Sequence, residues 1–135
     1  MRELIKILKV LSDESRLRVL NLLLERECCV CEVMQVMEIS QSKASRILSA
    51  LYDAGLLKLR REGRWALYSI DKGGMKDYMN EILTGVTRAL DGNFTAAQDR
   101  EKLKKAERVG PGCVNKLCKS KLATKASRPL IAGEG

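Results

Sequence analysis

A change in the spacing of apolar residues between positions 40 and 70 narrows the choice of fold more than any other part of the sequence. From residue 44 to residue 51 apolar side chains recur at intervals of three and four, which is typical of one face of an amphipathic helix. From residue 57 to residue 69 they alternate with polar ones on both sides of Glu62 and Gly63. That alternation predicts a β-hairpin with Gly63 at positive φ in its turn.

Helical spacing on either side of this stretch completes the predicted fold. Three amphipathic helices are expected before it, over residues 4–11, 17–26 and 30–37, with Ser12 as N-cap of the second. Ser40 is the expected N-cap of the fourth helix, and Gly55 its end. A further helix is expected from about Met75 to about residue 90. The aromatic content of 4% also favours packed helices. The sequence therefore predicts a mainly α protein with a small β-hairpin, arranged as a winged helix-turn-helix.

Two regions are expected along the chain. Residues 1–92 carry all the strong apolar periodicity and are predicted to form one folded domain. Residues 93–135 are predicted to be a basic, largely flexible C-terminal tail with a cysteine pair. Within it, the stretch from Thr95 to Val109 is compatible with a helix but mostly charged, and Gly, Pro, Lys and Ser become frequent from residue 110.

Positive charge is concentrated where the fourth helix and the hairpin are expected. Residues 41–64 hold six basic residues against Asp53 and Glu62, in a chain whose formal net charge is +8. A helix in the major groove contacts base edges from its N-terminal residues, and a basic hairpin supplies phosphate contacts. The expected DNA contacts are Gln41, Ser42, Lys43, Ser45 and Arg46 on the helix and Arg60, Arg61 and Arg64 on the hairpin.

The chain has five cysteines and no histidine. Cys28, Cys29 and Cys31 fall within four positions, and Cys113 and Cys118 lie in the predicted tail. The sequence shows neither a secretory leader nor a long apolar run, so a cytoplasmic location without membrane contact is expected. Close-set cysteines in a reducing compartment bind metals or act in redox chemistry more often than they form structural disulfides.

Residues 12–70 resemble the ArsR/SmtB family of metal- and metalloid-responsive bacterial repressors. The resemblance is carried by "LSDESRLRVL" in the second helix, the "CVCEV" box, "SQSKASRILSALYDAGLL" as recognition helix, and "REGRWALYSI" as wing. It implies a transcriptional regulator rather than an enzyme, with double-stranded operator DNA as its partner. It also implies a homodimer joined through the first helix and the helix after the wing, which leaves DNA when an inducer binds.

The arsenic-responsive members of the family imply a candidate inducer site. There the box supplies two thiolates, and a cysteine three residues later completes a trigonal As(III) site. Cys29 and Cys31 match the box, but Met34 stands at the third position, and a neutral thioether is a poor ligand for this centre. The resemblance implies no required cofactor and an inducer of As(III) or Sb(III).

The source of the third thiolate stays open between Cys28 and the tail residues Cys113 and Cys118. Some family members bind arsenite through cysteines near the C-terminus, so the tail could hold much of the site itself. On a regular helix Cys28 and Cys31 would share a face, whereas a pair formed by Cys29 and Cys31 would strain the first turn. A helix N-terminus is also expected to lower the pKa of these thiols.

Other uses of the thiols remain alternatives. Cd(II) and Pb(II) are thiophilic, although the family's cadmium sensors use cysteines in an N-terminal extension and none precedes Cys28 here. The family's zinc sensors use Asp and His, and this chain has no histidine. A redox- or sulfide-sensing repressor would need only two cysteines. A thiol oxidoreductase is the alternative from another class; Cys28 and Cys31 have C-x-x-C spacing but open a helix of the helix-turn-helix.

Overall fold

The computed structural model of the protein describes residues 1–108, which form helices and a small antiparallel sheet. The elements in chain order are α1 (Arg2–Leu11), α2 (Glu14–Glu25), β1 (Cys28–Cys29), α3 (Val30–Met37), α4 (Gln41–Asp53), β2 (Leu57–Glu62), β3 (Trp65–Ile70), α5 (Asp77–Leu90) and α6 (Phe94–Lys105). The predicted mainly α winged helix-turn-helix is confirmed. None of the helices within this part of the chain combines the length and apolar character that crossing a bilayer requires.

The core lies where the apolar faces of α2, α3 and α4 meet the inner side of the sheet. Its fully buried large side chains include Leu20, Leu22, Leu48, Leu51 and Leu67. The buried residues of α4 are Ala44, Ile47, Leu48 and Leu51, which are the four apolar positions of its helical pattern. This packing holds α4 against the core by one face and leaves its opposite face free.

Helices α3 and α4 form the helix-turn-helix. Glu38 ends α3 in the left-handed conformation, with φ of 57°. Ser40 then caps α4, because its Oγ accepts a hydrogen bond from Lys43 N at 3.2 Å. The cap predicted for α4 is therefore confirmed. The cap predicted for α2 is not: Asp13 accepts from Arg16 N at 3.0 Å, while the Ser12 hydroxyl donates to the Lys9 carbonyl and ends α1.

The wing is the hairpin of β2 and β3, paired from Leu57 opposite Ile70 to Glu62 opposite Trp65. Gly63, at φ of 65°, supports the two-residue turn. The sheet has a third strand, which the sequence did not predict. Strand β1 pairs antiparallel with β3, so that Cys28 lies opposite Tyr68 and Cys29 opposite Leu67, and the strand order is β1-β3-β2. Two residues are too few to produce an alternating pattern.

Helix α6 corrects part of the expectation for the C-terminal region. The sequence predicts a largely flexible segment from residue 93, but α6 packs against α2 and α3. Its buried residues are Ala96, Asp99 and Leu103. Asp99 accepts two hydrogen bonds from Arg18, at 2.8 and 2.9 Å. This face is inconspicuous in the sequence because one of its three members is charged and the rest of the helix is mostly polar. Residues from 109 onward, with Cys113 and Cys118, lie outside the described part.

Candidate DNA-binding surface and cysteine segment

The exposed face of α4 carries most of the predicted major-groove contacts. Gln41, Ser42, Lys43 and Arg46 are exposed, and Ser45 is half-buried. The helix begins at Gln41, so these residues occupy its first two turns, where unpaired backbone N–H groups also favour a phosphate. Neither Lys43 nor Arg46 forms an ion pair within residues 1–108. The arrangement can therefore present several donors and two unpaired cations to a groove.

The three wing arginines differ in their surroundings. Arg61 and Arg64 are exposed beside the turn and make no ion pair with any residue of the described part. Arg60 instead donates two hydrogen bonds to the Glu27 carboxylate, Nε to Oε2 and Nη2 to Oε1, each at 2.8 Å. This guanidinium lowers the pKa of the Glu27 carboxyl below its usual value. Arg60 therefore joins the wing to the residue that precedes β1, and it is less available to DNA than its neighbours.

The cysteine segment, residues 28–31, is buried and belongs to two elements. Cys28 and Cys29 form β1, Cys29 is also the N-cap of α3, and Cys31 lies in the first turn of that helix. All three are buried in the core, and none forms a disulfide with another described residue. Because Cys28 precedes the helix, it does not share a helical face with Cys31. Successive residues of a strand point to opposite sides, so the geometry expected from a continuous helix is corrected.

Each of these thiols already has a hydrogen-bond partner. The Cys28 Sγ donates to the Arg26 carbonyl at 3.4 Å. Cys29 and Glu32 form a reciprocal capping box, in which the Cys29 side chain accepts from the Glu32 backbone and Glu32 Oε1 accepts from Cys29 N at 2.9 Å. Gln35 Nε2 donates to the Cys31 Sγ at 3.3 Å. An ion that gathered these sulfurs would have to break such contacts.

Burial reverses the expected effect of the helix N-terminus on the thiols. It raises the pKa of Cys28 to about 12, and the nearby Glu32 carboxylate adds to the effect. It also raises the pKa of Cys29 to about 11, although hydrogen bonds from backbone N–H groups of Glu32 and Cys31 oppose the rise. The prediction of lowered pKa values was wrong for these two residues, because desolvation of a buried thiolate outweighs the field of two amides. Both are neutral thiols near neutral pH.

The end of the described chain is fastened beside the cysteine segment. Gln35 accepts from Glu107 N at 3.1 Å and donates to the Glu107 carbonyl at 2.9 Å. Arg108 donates to Glu32 Oε1 at 3.3 Å and to the Glu27 carbonyl at 3.1 Å, and its guanidinium lies 5.7 Å from the centre of the Trp65 ring. The segment 106–108 thus connects α3 with the wing.

Glu32 is the central acceptor of this region and was not singled out from the sequence. Its side chain is 2% exposed, and besides its bonds to Cys29 and Arg108 it accepts from Arg26 Nη1 at 2.7 Å. A glutamate three residues after a capping residue is the signal of a capping box, which could have identified Glu32 had cysteine been considered as the cap. No comparable signal marks Glu27, Gln35 or Arg108, since each of them also bonds a residue that is distant in sequence.

The thiols do not form a preassembled metal site. Within residues 1–108, no three cysteine, aspartate or glutamate side chains are arranged to hold a metal ion. Soft sulfur donors nevertheless suit a thiophilic ion. The cysteine segment could therefore bind such an ion only after a local rearrangement or with a further ligand.

Comparison with known proteins identifies the group to which this winged helix belongs. Residues 13–58 match the family described as "Bacterial regulatory protein, arsR family". The arsenic resistance transcriptional regulator ArsR1 of Pseudomonas putida is 38% identical over 93 residues, which cover 66% of this chain and 72% of that protein. The chain belongs to the arsR family. This confirms the predicted family and makes the protein a DNA-binding transcriptional regulator rather than an enzyme.

Two further similarities show the breadth of the family. A homologue of the cadmium resistance regulatory protein CadC from Staphylococcus aureus is 38% identical over 77 residues, covering 56% of this chain and 64% of its own length. The solved structure of HlyU from Vibrio cholerae matches with a TM-score of 0.56 and 27% identity, covering 65% of this chain and 91% of that one. ArsR-family relatives of this chain are thus named for resistance to more than one element.

Proposed function

We propose that this ArsR-family member is a transcriptional repressor that binds operator DNA as a homodimer and leaves it when As(III) or Sb(III) binds. Cys29 and Cys31 supply two thiolates. The single observation that supports this most is the cysteine segment itself, in which three buried thiols lie immediately before or within the first turn of α3. Because α3 is the helix that precedes α4, a ligand on these thiols would act next to the DNA-binding helix.

The chemistry of arsenite suits neutral, buried thiols. Arsenous acid exchanges hydroxide for thiolate: each As–S bond forms as one As–O bond breaks, and the thiol proton leaves with the hydroxide as water. No electrons are transferred, and three thiols release three waters without a net change in free protons. The pKa values of Cys28 and Cys29 lie near 12 and 11. Both can therefore react as neutral thiols, and neither has to lose its proton to the solvent first.

Cys113 is our proposed third ligand, with Cys28 as the alternative. The contacts of Arg108 with Glu32 and with the Glu27 carbonyl place residue 108 beside the cysteine segment. Cys113 follows Arg108 by five positions, and because an extended chain spans at most about 3.6 Å per residue, the two residues are at most about 18 Å apart. A cysteine ten residues away, Cys118, searches a larger volume and has a lower effective concentration.

Exposed apolar side chains support the homodimer. Leu4, Ile5 and Leu8 of α1 are 38%, 43% and 51% exposed. On α5, Tyr78, Ile82 and Val86 lie on one face and are only partly covered by the core. We propose that these two faces meet their copies in a second subunit, which would place two α4 helices on one duplex.

Cadmium remains the second candidate inducer. The CadC homologue is as similar in identity to this chain as the arsenic-resistance regulator is, at 38%, and Cd(II) also prefers thiolate ligands. The two inducers differ in proton balance, because Cd(II) displaces a proton from every neutral thiol it binds.

Equilibrium dialysis of the reduced full-length protein against arsenite tests the site. The wild type should bind arsenite, and Cys29→Ser/Cys31→Ser should bind at least about tenfold more weakly, since two of three As–S bonds are lost. Cys113→Ser should show a comparable loss, with Cys118→Ser as the matched control. Unchanged affinity in Cys29→Ser/Cys31→Ser would contradict the proposed site. An effect of Cys28→Ser in place of Cys113→Ser would assign the third ligand to Cys28.

A further inference from the structure

The cysteine segment is built into the sheet of the wing. Strand β1 consists of Cys28 and Cys29, and both pair with β3, the second strand of the hairpin. The backbone that carries two of the candidate thiols is thus hydrogen-bonded to the backbone that carries the wing. A displacement of β1 would therefore act directly on the hairpin, through the hydrogen bonds between β1 and β3.

Two side-chain contacts, one to each strand of the hairpin, reinforce this connection. Glu27, the residue before β1, holds Arg60 of β2 through two hydrogen bonds of 2.8 Å. Arg108 lies over Trp65 of β3 and donates to Glu32, the capping partner of Cys29. Each contact joins a residue adjoining the cysteine segment to a strand of the wing, and neither touches the exposed face of α4.

Binding of As(III) by the sulfurs of Cys29 and Cys31 is incompatible with the contacts that these residues make. With Cys28 as the third ligand the conflict would be greater, because Cys28 and Cys29 are successive strand residues and point to opposite sides of β1. Cys29 also forms the capping box with Glu32, and the Cys31 sulfur accepts from Gln35, which holds residue 107. Bringing the sulfurs of Cys29 and Cys31 around one centre must therefore disturb the cap, the segment 106–108, or both.

We propose that the wing, rather than α4 alone, transmits inducer binding to DNA. Binding at Cys29 and Cys31 draws the cysteine segment away from β3 and breaks the contacts of Glu27 with Arg60 and of Arg108 with Trp65. The wing then leaves the orientation in which Arg61 and Arg64 face DNA. Glu27 and Arg108 are the positioning residues of this coupling. The inference rests on the proposed function, because it requires an inducer on these thiols.

The test measures the factor by which arsenite weakens DNA binding, a coupling that typically lies between about 5- and 150-fold. Fluorescence anisotropy would use the reduced full-length protein and a labelled duplex that this protein selects from a random pool. Glu27→Gln and Arg108→Gln should each reduce the coupling factor at least about threefold, since the wing is already released without inducer. Glu101→Gln, which removes an exposed ion pair with Lys104 on α6, is the matched control and should leave the factor unchanged.

Trp65 provides an independent readout, because it is the only tryptophan in the chain. Arsenite should change its fluorescence in the wild type but not in Cys29→Ser/Cys31→Ser. If arsenite binds and releases DNA while Trp65 emission and the coupling factors of both variants stay at wild-type values, the wing is not the output and only this inference is lost. If dialysis shows no arsenite binding to the wild type, the proposed function fails and the inference with it.

Discussion

Burial determines the chemistry of individual side chains in this protein. The thiols of Cys28 and Cys29 are 0% and 5% exposed, and their pKa values lie near 12 and 11. They are therefore protonated over the physiological range of pH. The same principle separates the wing arginines: Arg60 is engaged by Glu27, whereas Arg61 is exposed and makes no ion pair within residues 1–108.

The affinity of the cysteine segment should depend on pH differently for Cd(II) and for arsenite. Cd(II) releases one proton for each neutral thiol that it binds, so the loss of the Cys29 proton alone should raise its affinity about tenfold per pH unit from about pH 6 to about pH 8, well below the raised pKa of that thiol. Arsenous acid releases water instead, and its affinity should stay nearly constant. Competition dialysis at several pH values measures both. A steep rise in arsenite affinity with pH would show that its binding releases protons and would contradict reaction with neutral thiols.

Arg60 and Arg61 should contribute differently to the salt dependence of DNA binding. Arg61→Ala should reduce the slope of log K against log salt concentration by about one, because one phosphate contact is lost. Arg60→Ala should change that slope much less, because its guanidinium is held by Glu27. Anisotropy titrations over a range of salt concentrations compare the two variants. Equal changes in slope would show that Arg60 also contacts phosphate.

At the scale of elements, the sequence predicts what is periodic and misses what is short or held by distant partners. Helices α2 to α4 and the hairpin could be predicted because a full apolar face repeats along each. Strand β1 could not, since two residues carry no period. The sequence places the residues of α6 in a largely flexible tail, because Asp99, at the centre of the buried face, is charged and its partner Arg18 lies 81 positions away. The same holds for the candidate site: the cysteines are visible in the sequence, but Glu27 and Arg108 are not.

The docking of α6 gives a prediction about stability. Asp99 is 1% exposed and pairs with Arg18, which is 29% exposed. Asp99→Asn should lower the free energy of unfolding by about 2 kcal/mol, less than for a fully buried pair because Arg18 can regain water. Urea unfolding followed by circular dichroism measures the change. The control Glu101→Gln should cost less than about 0.5 kcal/mol, as exposed pairs contribute little. Equal midpoints for the two variants would mean that the Arg18–Asp99 pair does not hold α6.

At the scale of the whole molecule, the described chain exposes basic residues of α4 and the wing as well as apolar residues of α1 and α5. A single α4 helix and wing offer few contacts, and a two-fold dimer doubles them on one duplex. Dimerisation and DNA binding should therefore be lost together when the apolar face is disrupted.

Leu8→Glu tests this dependence. Leu8 is 51% exposed, so the substitution should leave the subunit folded while placing a charge in the proposed interface. Sedimentation equilibrium should show a monomer, and DNA affinity should fall at least about tenfold. Thr84→Glu is the control: it adds the same charge at an exposed position of α5, two residues and hence about 200° from Ile82. A dimeric Leu8→Glu protein would exclude this face of α1 from the interface.

The most direct test of the proposed function is the release of DNA by arsenite, followed by fluorescence anisotropy of the selected duplex with the reduced full-length protein. Arsenite should release DNA from the wild type and should have little effect on Cys29→Ser/Cys31→Ser. This variant should retain the fold because serine hydroxyls can accept the hydrogen bonds that the two sulfurs accept, including the cap of α3. Wild-type protein that stays on DNA with arsenite bound, or a double variant that releases DNA as readily as the wild type, would contradict the assignment of the cysteine segment as the inducer site.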